Sequence, residues 1–164
     1  MKVYHGTSKA NSNNIVEFGA KKNIDTMNIN RQGNYADIEA FFVTPNKDIA
    51  HIYETDNSKN GSLILEFELN DNANILDLTD FENQNKVISY LAETESNSLN
   101  KYIEINSYDG CKQYHKNDFG SLRLEYAITN INILELIFVP KKATSFMSLY
   151  SIAMSGDIEA KEYI

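Results

Sequence analysis

Three polar side chains stand out against apolar surroundings. His5 ends the short run Lys2-Val3-Tyr4-His5, Tyr53 falls on a helix-compatible segment, and Glu125 interrupts the apolar stretch Leu122, Leu124, Tyr126 and Ile128. An imidazole holds hydroxyl groups or moves a proton near neutral pH. A phenol offers a flat face for stacking and a hydroxyl at its tip. A carboxylate accepts hydrogen bonds from hydroxyls and stabilises positive charge as it develops. Each residue also has a structural reading: His5 as a strand-end histidine, Tyr53 as core or rim, Glu125 as part of an exposed strand face. Burying a carboxylate is costly without a partner. By alternation Glu125 shares a face with Arg123 and Ala127, so that face is either solvent-exposed or a functional cleft.

The elements that must carry these groups follow from pattern. Residues 2–5 predict a strand, with Thr7 or Ser8 as N-cap of a helix that carries Ile15, Val16 and Phe18 and is closed by Gly19. Residues 20–38 lack periodicity and read as a loop long enough for a functional role, and residues 107–121 read as a second. Residues 40–44 form a β-type run stopped by Pro45, and a helix over about 47–56 carries Ile49, Ala50, Ile52 and Tyr53. Ser62 to Leu69 alternates as a half-buried strand. Residues 74–78 predict a short strand, 81–94 a helix, 102–106 a strand or helix, and 122–129 and 133–139 two more strands. Residues 143–164 predict an amphipathic helix broken near Ser155 and Gly156. With no regular βαβ alternation, the order favours an α+β fold. Neither an internal repeat nor a linker interrupts residues 1–164, so one domain is expected, with a core over about 2–140 and a helical extension over 143–164.

Taken together, the three residues and their flanks resemble the ADP-ribosyltransferases of the His-Tyr-Glu type, the group that includes diphtheria toxin and the catalytic domain of the poly(ADP-ribose) polymerases. The motifs are Tyr4-His5-Gly6-Thr7 followed by a helix and Gly19; Ala40-Phe41-Phe42-Val43-Thr44 followed by a helix bearing Tyr53; and Glu125-Tyr126-Ala127-Ile128 leading to another strand. They occur in the family's order and span roughly residues 2–139. The resemblance implies two small, mostly antiparallel sheets packed around an NAD+ cleft and flanked by helices. It implies His5 on a ribose hydroxyl, the Gly6 backbone at the nicotinamide carboxamide, Thr7 among the NAD+-binding residues, Phe42 and Tyr53 sandwiching the nicotinamide ring, and Thr44 as a source of a hydroxyl. Glu125 would hold the nicotinamide ribose and stabilise its oxocarbenium charge. No metal is implied, because the leaving group is already cationic. The chain departs from the pattern at Ala40, where many relatives have Gly, and at Ala50, where the polymerases have Ser. Arg123 stands where arginine-modifying toxins carry Glu or Gln, which disfavours arginine transfer and leaves mono-transfer to another acceptor as the expectation.

Composition bounds the remaining choices. A net charge of −8 opposes non-specific binding to polyanions, although local cations such as Lys21, Lys22 and Arg31, or Lys112, Lys116 and Arg123, can still meet an anionic ligand. The one cysteine, Cys111, precludes an intramolecular disulfide, and no apolar run is long enough to span a bilayer. A cytoplasmic protein without membrane attachment is expected, acting as a toxin or phage-related effector on a protein or nucleic-acid acceptor. An antitoxin or immunity protein is the expected partner, docking on residues 143–164. The two candidate loops add Lys22, Arg31, Tyr35, Tyr108, His115 and Asp118 as acceptor-reading residues, while His51 reads as an exposed helical residue. Two other readings stay open: an NAD+ glycohydrolase that gives ADP-ribose to water, and an inert NAD+- or ADP-ribose-binding module.

Overall fold

The structure is a computed structural model and describes residues 1–30, 32–50, 62–116 and 122–140. It is α+β, with two mostly antiparallel sheets and a few helices. The chain divides into two compact units.

The first unit comprises the described parts of Met1–Ala20, Thr44–Leu69 and Leu134–Ile164. Its sheet joins β1 (Lys2–Ser8), β4 (Ser62–Leu69) and β8 (Leu134–Phe138) in the order β1-β4-β8, all antiparallel. The alternation of β4 dictates its burial: Leu63, Leu65, Phe67 and Leu69 are all buried, whereas Glu66 and Glu68 point to the other face. Helix α1 (Lys9–Phe18) starts as predicted, with the Ser8 Oγ accepting the Asn11 N–H at 3.2 Å. It ends at Gly19, whose N–H donates to the Ile15 carbonyl at 2.9 Å and whose φ of 85° suits a residue without a side chain. Of the helix expected over 47–56, the described part is α2 (Lys47–Ala50).

The second unit comprises the described parts of Lys21–Val43 and Asn70–Ile133. Its strands are β2 (Asn23–Asn28), β3 (Tyr35–Val43), β5 (Ile75–Asp77), β6 (Gly110–Lys116) and β7 (Leu122–Ile128). The order is β2-β3-β7-β6-β5, antiparallel except for the β5–β6 pair. Helices α3 (Phe81–Glu93) and α4 (Leu99–Ile105) contribute Val87, Leu99 and Ile103 to a core completed by Ala36, Ile38, Ala40, Cys111 and Ala127 from the sheet. The Asp80 side chain caps α3 by accepting the Asn83 N–H at 3.0 Å. The ambiguous segment around Tyr102 is helical.

Both expected loops contain strands instead. Residues 20–38 hold β2 and the first part of β3 as an antiparallel hairpin, in which Ile38 pairs with Asp25 and Ala36 with Met27. Of β2 only Met27 is buried, so its own sequence carries little strand signal and pairing with β3 supplies the rest. In residues 107–121, β6 alternates buried Cys111 and Gln113 with Lys112 and Tyr114, and a polar residue at a core position concealed the period. The expected extension over 143–164 lies outside the described residues, as do Arg31, His51, Tyr53 and Asp118.

Candidate functional site

Within the first unit, His5, Gly6 and Thr7 lie on β1, and Thr44 is tied to that strand by a reciprocal bridge. The Tyr4 N–H donates to the Thr44 carbonyl at 2.8 Å and the Thr44 N–H to the Tyr4 carbonyl at 2.9 Å. The register sets His5 opposite Leu65 and Thr7 opposite Leu63. His5 is therefore half-buried on the sheet's apolar face, between Val3 and Thr7, which are both fully buried. Gly6 faces the other way, where a Cβ would fall on the Ala50 carbonyl group, with its carbon only 2.9 Å away. Glycine is thus required here by the close approach of α2, a role separate from any ligand. The Thr44 hydroxyl accepts the Asn46 N–H at 3.2 Å and is buried, so it has a structural task at the start of α2. On the same face as Gly6, the Lys47 ammonium lies 5.7 Å from the centre of the Tyr4 ring. Burial lowers its pKa from the ordinary lysine value, against the pull of Glu66.

The second unit carries Phe42 and Glu125. Phe42 of β3 stands opposite Ala127 of β7, two residues from Glu125, and strand alternation puts all three on one face. That face is the helix-covered one: Ala127 and Cys111 are fully buried and Arg123 is 8% exposed. The exposed-face reading of Glu125 is therefore set aside. Glu125 itself is half-buried. Pairing between β3 and β7 ends at Val43–Tyr126, so Glu125 sits one residue beyond it, opposite Gln113 of β6. There the sheet leaves a small cavity of about 10 Å³ lined by Glu125, Gln113, Tyr114 and the β2 residues Thr26, Met27 and Asn28. The Asn28 Oδ1 is buried there with no hydrogen-bond donor among the described residues.

Gln113, which sequence reasoning missed, holds this region together. Its Nε2 donates to the Ile29 carbonyl at 2.7 Å and the Leu78 carbonyl at 2.6 Å, while its Oε1 accepts the Tyr114 N–H at 2.7 Å. A polar residue in phase with Cys111 on a strand was the available signal. Beside it, burial pushes the Cys111 thiol far above its ordinary value, with the Glu125 carboxylate adding to the effect, so the thiol is no nucleophile at neutral pH.

The expected basic group of Lys112, Lys116 and Arg123 is not a patch. Lys112 pairs with Tyr126 in register and so faces away from Arg123, and its ammonium is engaged by Asp77 at 2.9 Å. Of the other loop candidates, Tyr35 is exposed at the start of β3, Tyr108 packs against the helix-side core, and Lys22 precedes β2. His115 lies on β6. Among the described residues no group of three His, Cys, Asp or Glu could hold a metal, and no helix is long and apolar enough to cross a membrane. Comparison with protein-family models, with curated proteins and with solved structures finds no match to this chain.

Proposed function

We propose that this chain is a mono-ADP-ribosyltransferase of the His-Tyr-Glu type, which cleaves NAD+ at the nicotinamide–ribose bond. The observation that carries the reading is the setting of Glu125. Glu125 is half-buried on a helix-covered sheet face, beside a water-sized cavity that is also lined by Asn28, whose buried Oδ1 has no partner among the described residues. A cavity of this size admits one hydroxyl group or one water beside Glu125. Phe42 on the same face supports a stacking role against nicotinamide. In the first unit, His5 is half-buried on β1, the strand to which the resemblance assigns the ribose-binding histidine.

In the reaction the C1′–N bond breaks and its electron pair leaves with nicotinamide, which becomes neutral. The positive charge passes to the ribose ring, where the Glu125 carboxylate stabilises it. An oxygen or nitrogen of the acceptor then bonds to C1′, and its proton passes to Glu125 and on to solvent.

The test is mass-resolved NAD+ turnover by the wild type and by Glu125→Gln, with cell lysate separated into protein and nucleic-acid fractions. Loss of one oriented charge-stabilising group lowers turnover by roughly 10²–10³-fold. An ADP-ribose mass on one fraction, dependent on Glu125, supports transfer. Free ADP-ribose alone assigns the glycohydrolase, and NAD+ binding without turnover assigns the inert module.

A further inference from the structure

A second cavity in the same unit is larger than the one at Glu125. It measures about 280 Å³, and its walls include the carboxamides of Asn30, Gln32, Gln84 and Gln113 and the rings of Phe81 and Tyr114. Among the described residues no charged side chain lines it. It lies near the lower end of the roughly 300–1,000 Å³ range of small-molecule sites, which suits one ring system and not a dinucleotide.

Two of its carboxamides are fixed at one end and have no partner at the other among the described residues. The Asn30 Oδ1 accepts three hydrogen bonds, from the Gln32 N–H at 3.1 Å, the Asn34 N–H at 3.3 Å and the Asn34 Nδ2 at 3.1 Å. Asn30 is only 8% exposed, and its Nδ2 has no partner among the described residues. The Gln84 Nε2 donates to the Leu78 carbonyl at 2.8 Å, which leaves its Oε1 similarly unengaged. The flips of both amides are thus decided by their other bonds, which leaves a donor on Asn30 and an acceptor on Gln84, two residues that line the cavity. Two aromatic rings accompany them: Phe81 is 70% exposed and Tyr114 37% exposed. A large apolar ring left in water at the first turn of α3 lacks a packing reason of its own.

We propose that this cavity binds an unpaired nucleobase with a lactam edge, the adjacent N–H and C=O of uracil, thymine, guanine or hypoxanthine. The Asn30 Nδ2 meets the base carbonyl, the Gln84 Oε1 meets the ring N–H, and the aromatic side chains take its face. The carboxamides and rings among the described lining residues match the edge and the face of a base. Gln113 and Tyr114 line both this cavity and the one at Glu125, so a base held here stands next to the carboxylate. As a binding site the cavity stands by itself; that its occupant is the ADP-ribose acceptor rests on the transferase reading.

The experiment is a titration of the full chain with uridine and guanosine, followed through the side-chain amide NMR signals of Asn30 and Gln84, without NAD+. Controls are N3-methyluridine and N1-methylguanosine, whose ring N–H is blocked, and nicotinamide, which joins a ring to a primary carboxamide. Uridine or guanosine should shift both amide signals, and the methylated nucleosides should bind at least tenfold more weakly. Phe81→Ala alters an exposed ring and should weaken binding about tenfold with the unfolding midpoint unchanged; Asn30→Asp keeps the three accepted bonds while removing the donor and should weaken binding about tenfold when measured well below its own unfolding midpoint. A single-stranded oligouridylate that binds more tightly than uridine identifies nucleic acid as the source of the base, whereas equal affinity identifies the free nucleoside. Equal binding of the methylated nucleosides, preference for nicotinamide, or no shift at millimolar nucleoside overturns the proposal. None of these readouts depends on NAD+ turnover, so failure of the transferase reading leaves the binding result standing, and the converse holds.

Discussion

Replacing Gln113 by leucine tests how the region around Glu125 is held. The side chain is 3% exposed and spans from β6 to the Ile29 carbonyl after β2 and to the Leu78 carbonyl after β5. Leucine has a similar volume, so the change removes polar bonds with little cavity formation. The two carbonyls fare differently. Leu78 keeps a donor in the Gln84 Nε2 at 2.8 Å, but Ile29 loses the one side-chain donor that reaches it among the described residues. An orphaned buried carbonyl costs about 1–3 kcal/mol, and the lost bonds to the Leu78 carbonyl and from the Tyr114 N–H add about 0.5–1.5 kcal/mol each. Set against the gain from burying leucine, the expected net loss is about 2 kcal/mol. At roughly 2–4 °C per kcal/mol for a chain of this size, Tm falls by about 4–8 °C. Urea unfolding of the wild type and Gln113→Leu at equal protein concentration measures the difference, and amide exchange at Gln32 and Asn34 should accelerate selectively as the β2–β3 turn loses its tether. A loss below about 0.5 kcal/mol, with turn exchange unchanged, would refute the reasoning, because water from the neighbouring cavity would then be supplying Ile29 at no cost.

Two further outcomes follow from the same structure. Gly6→Ala places a Cβ against the Ala50 backbone, which cannot rotate away as a side chain can, so destabilisation should exceed the roughly 1–3 kcal/mol usual for overpacking; a variant with wild-type Tm would mean that α2 shifts freely off β1. Asp77 is subject to burial, which raises its pKa, but the Thr79 and Lys112 hydrogen bonds outweigh this and hold the carboxyl below its ordinary value. Its contribution is therefore present above about pH 4 and is lost as pH falls through the lower folded value. The pair is partly exposed, with Asp77 at 37%, so the contribution should stay below about 1 kcal/mol. Urea midpoints for wild type and Asp77→Asn should differ at pH 6 and converge near pH 2, and a constant difference across that range would remove the ion pair from the account.

Local signals sufficed wherever an element carries its own period or cap. Ser62–Leu69 could be read from alternation because one face is purely apolar, and α1 from Ser8 and Gly19 because capping is a property of a few adjacent residues. The α+β class followed from the irregular order of such elements. Three features were decided only by tertiary structure. Strands β2 and β6 exist because distant neighbours pair with them: β2 buries only Met27, and β6 places Gln113 in its core, where carbonyls from two other segments satisfy it. The environment of Glu125 needed the packing of α3 and α4, since alternation grouped it with Arg123 and Ala127 without saying whether that face meets water or helices. Gly6 was legible as part of a motif, yet its requirement for a missing Cβ comes from the backbone of Ala50, 44 positions along the chain. Sequence patterns report what a segment prefers within a few residues; which face is covered, and which buried polar group finds a partner, depends on segments far away in the chain.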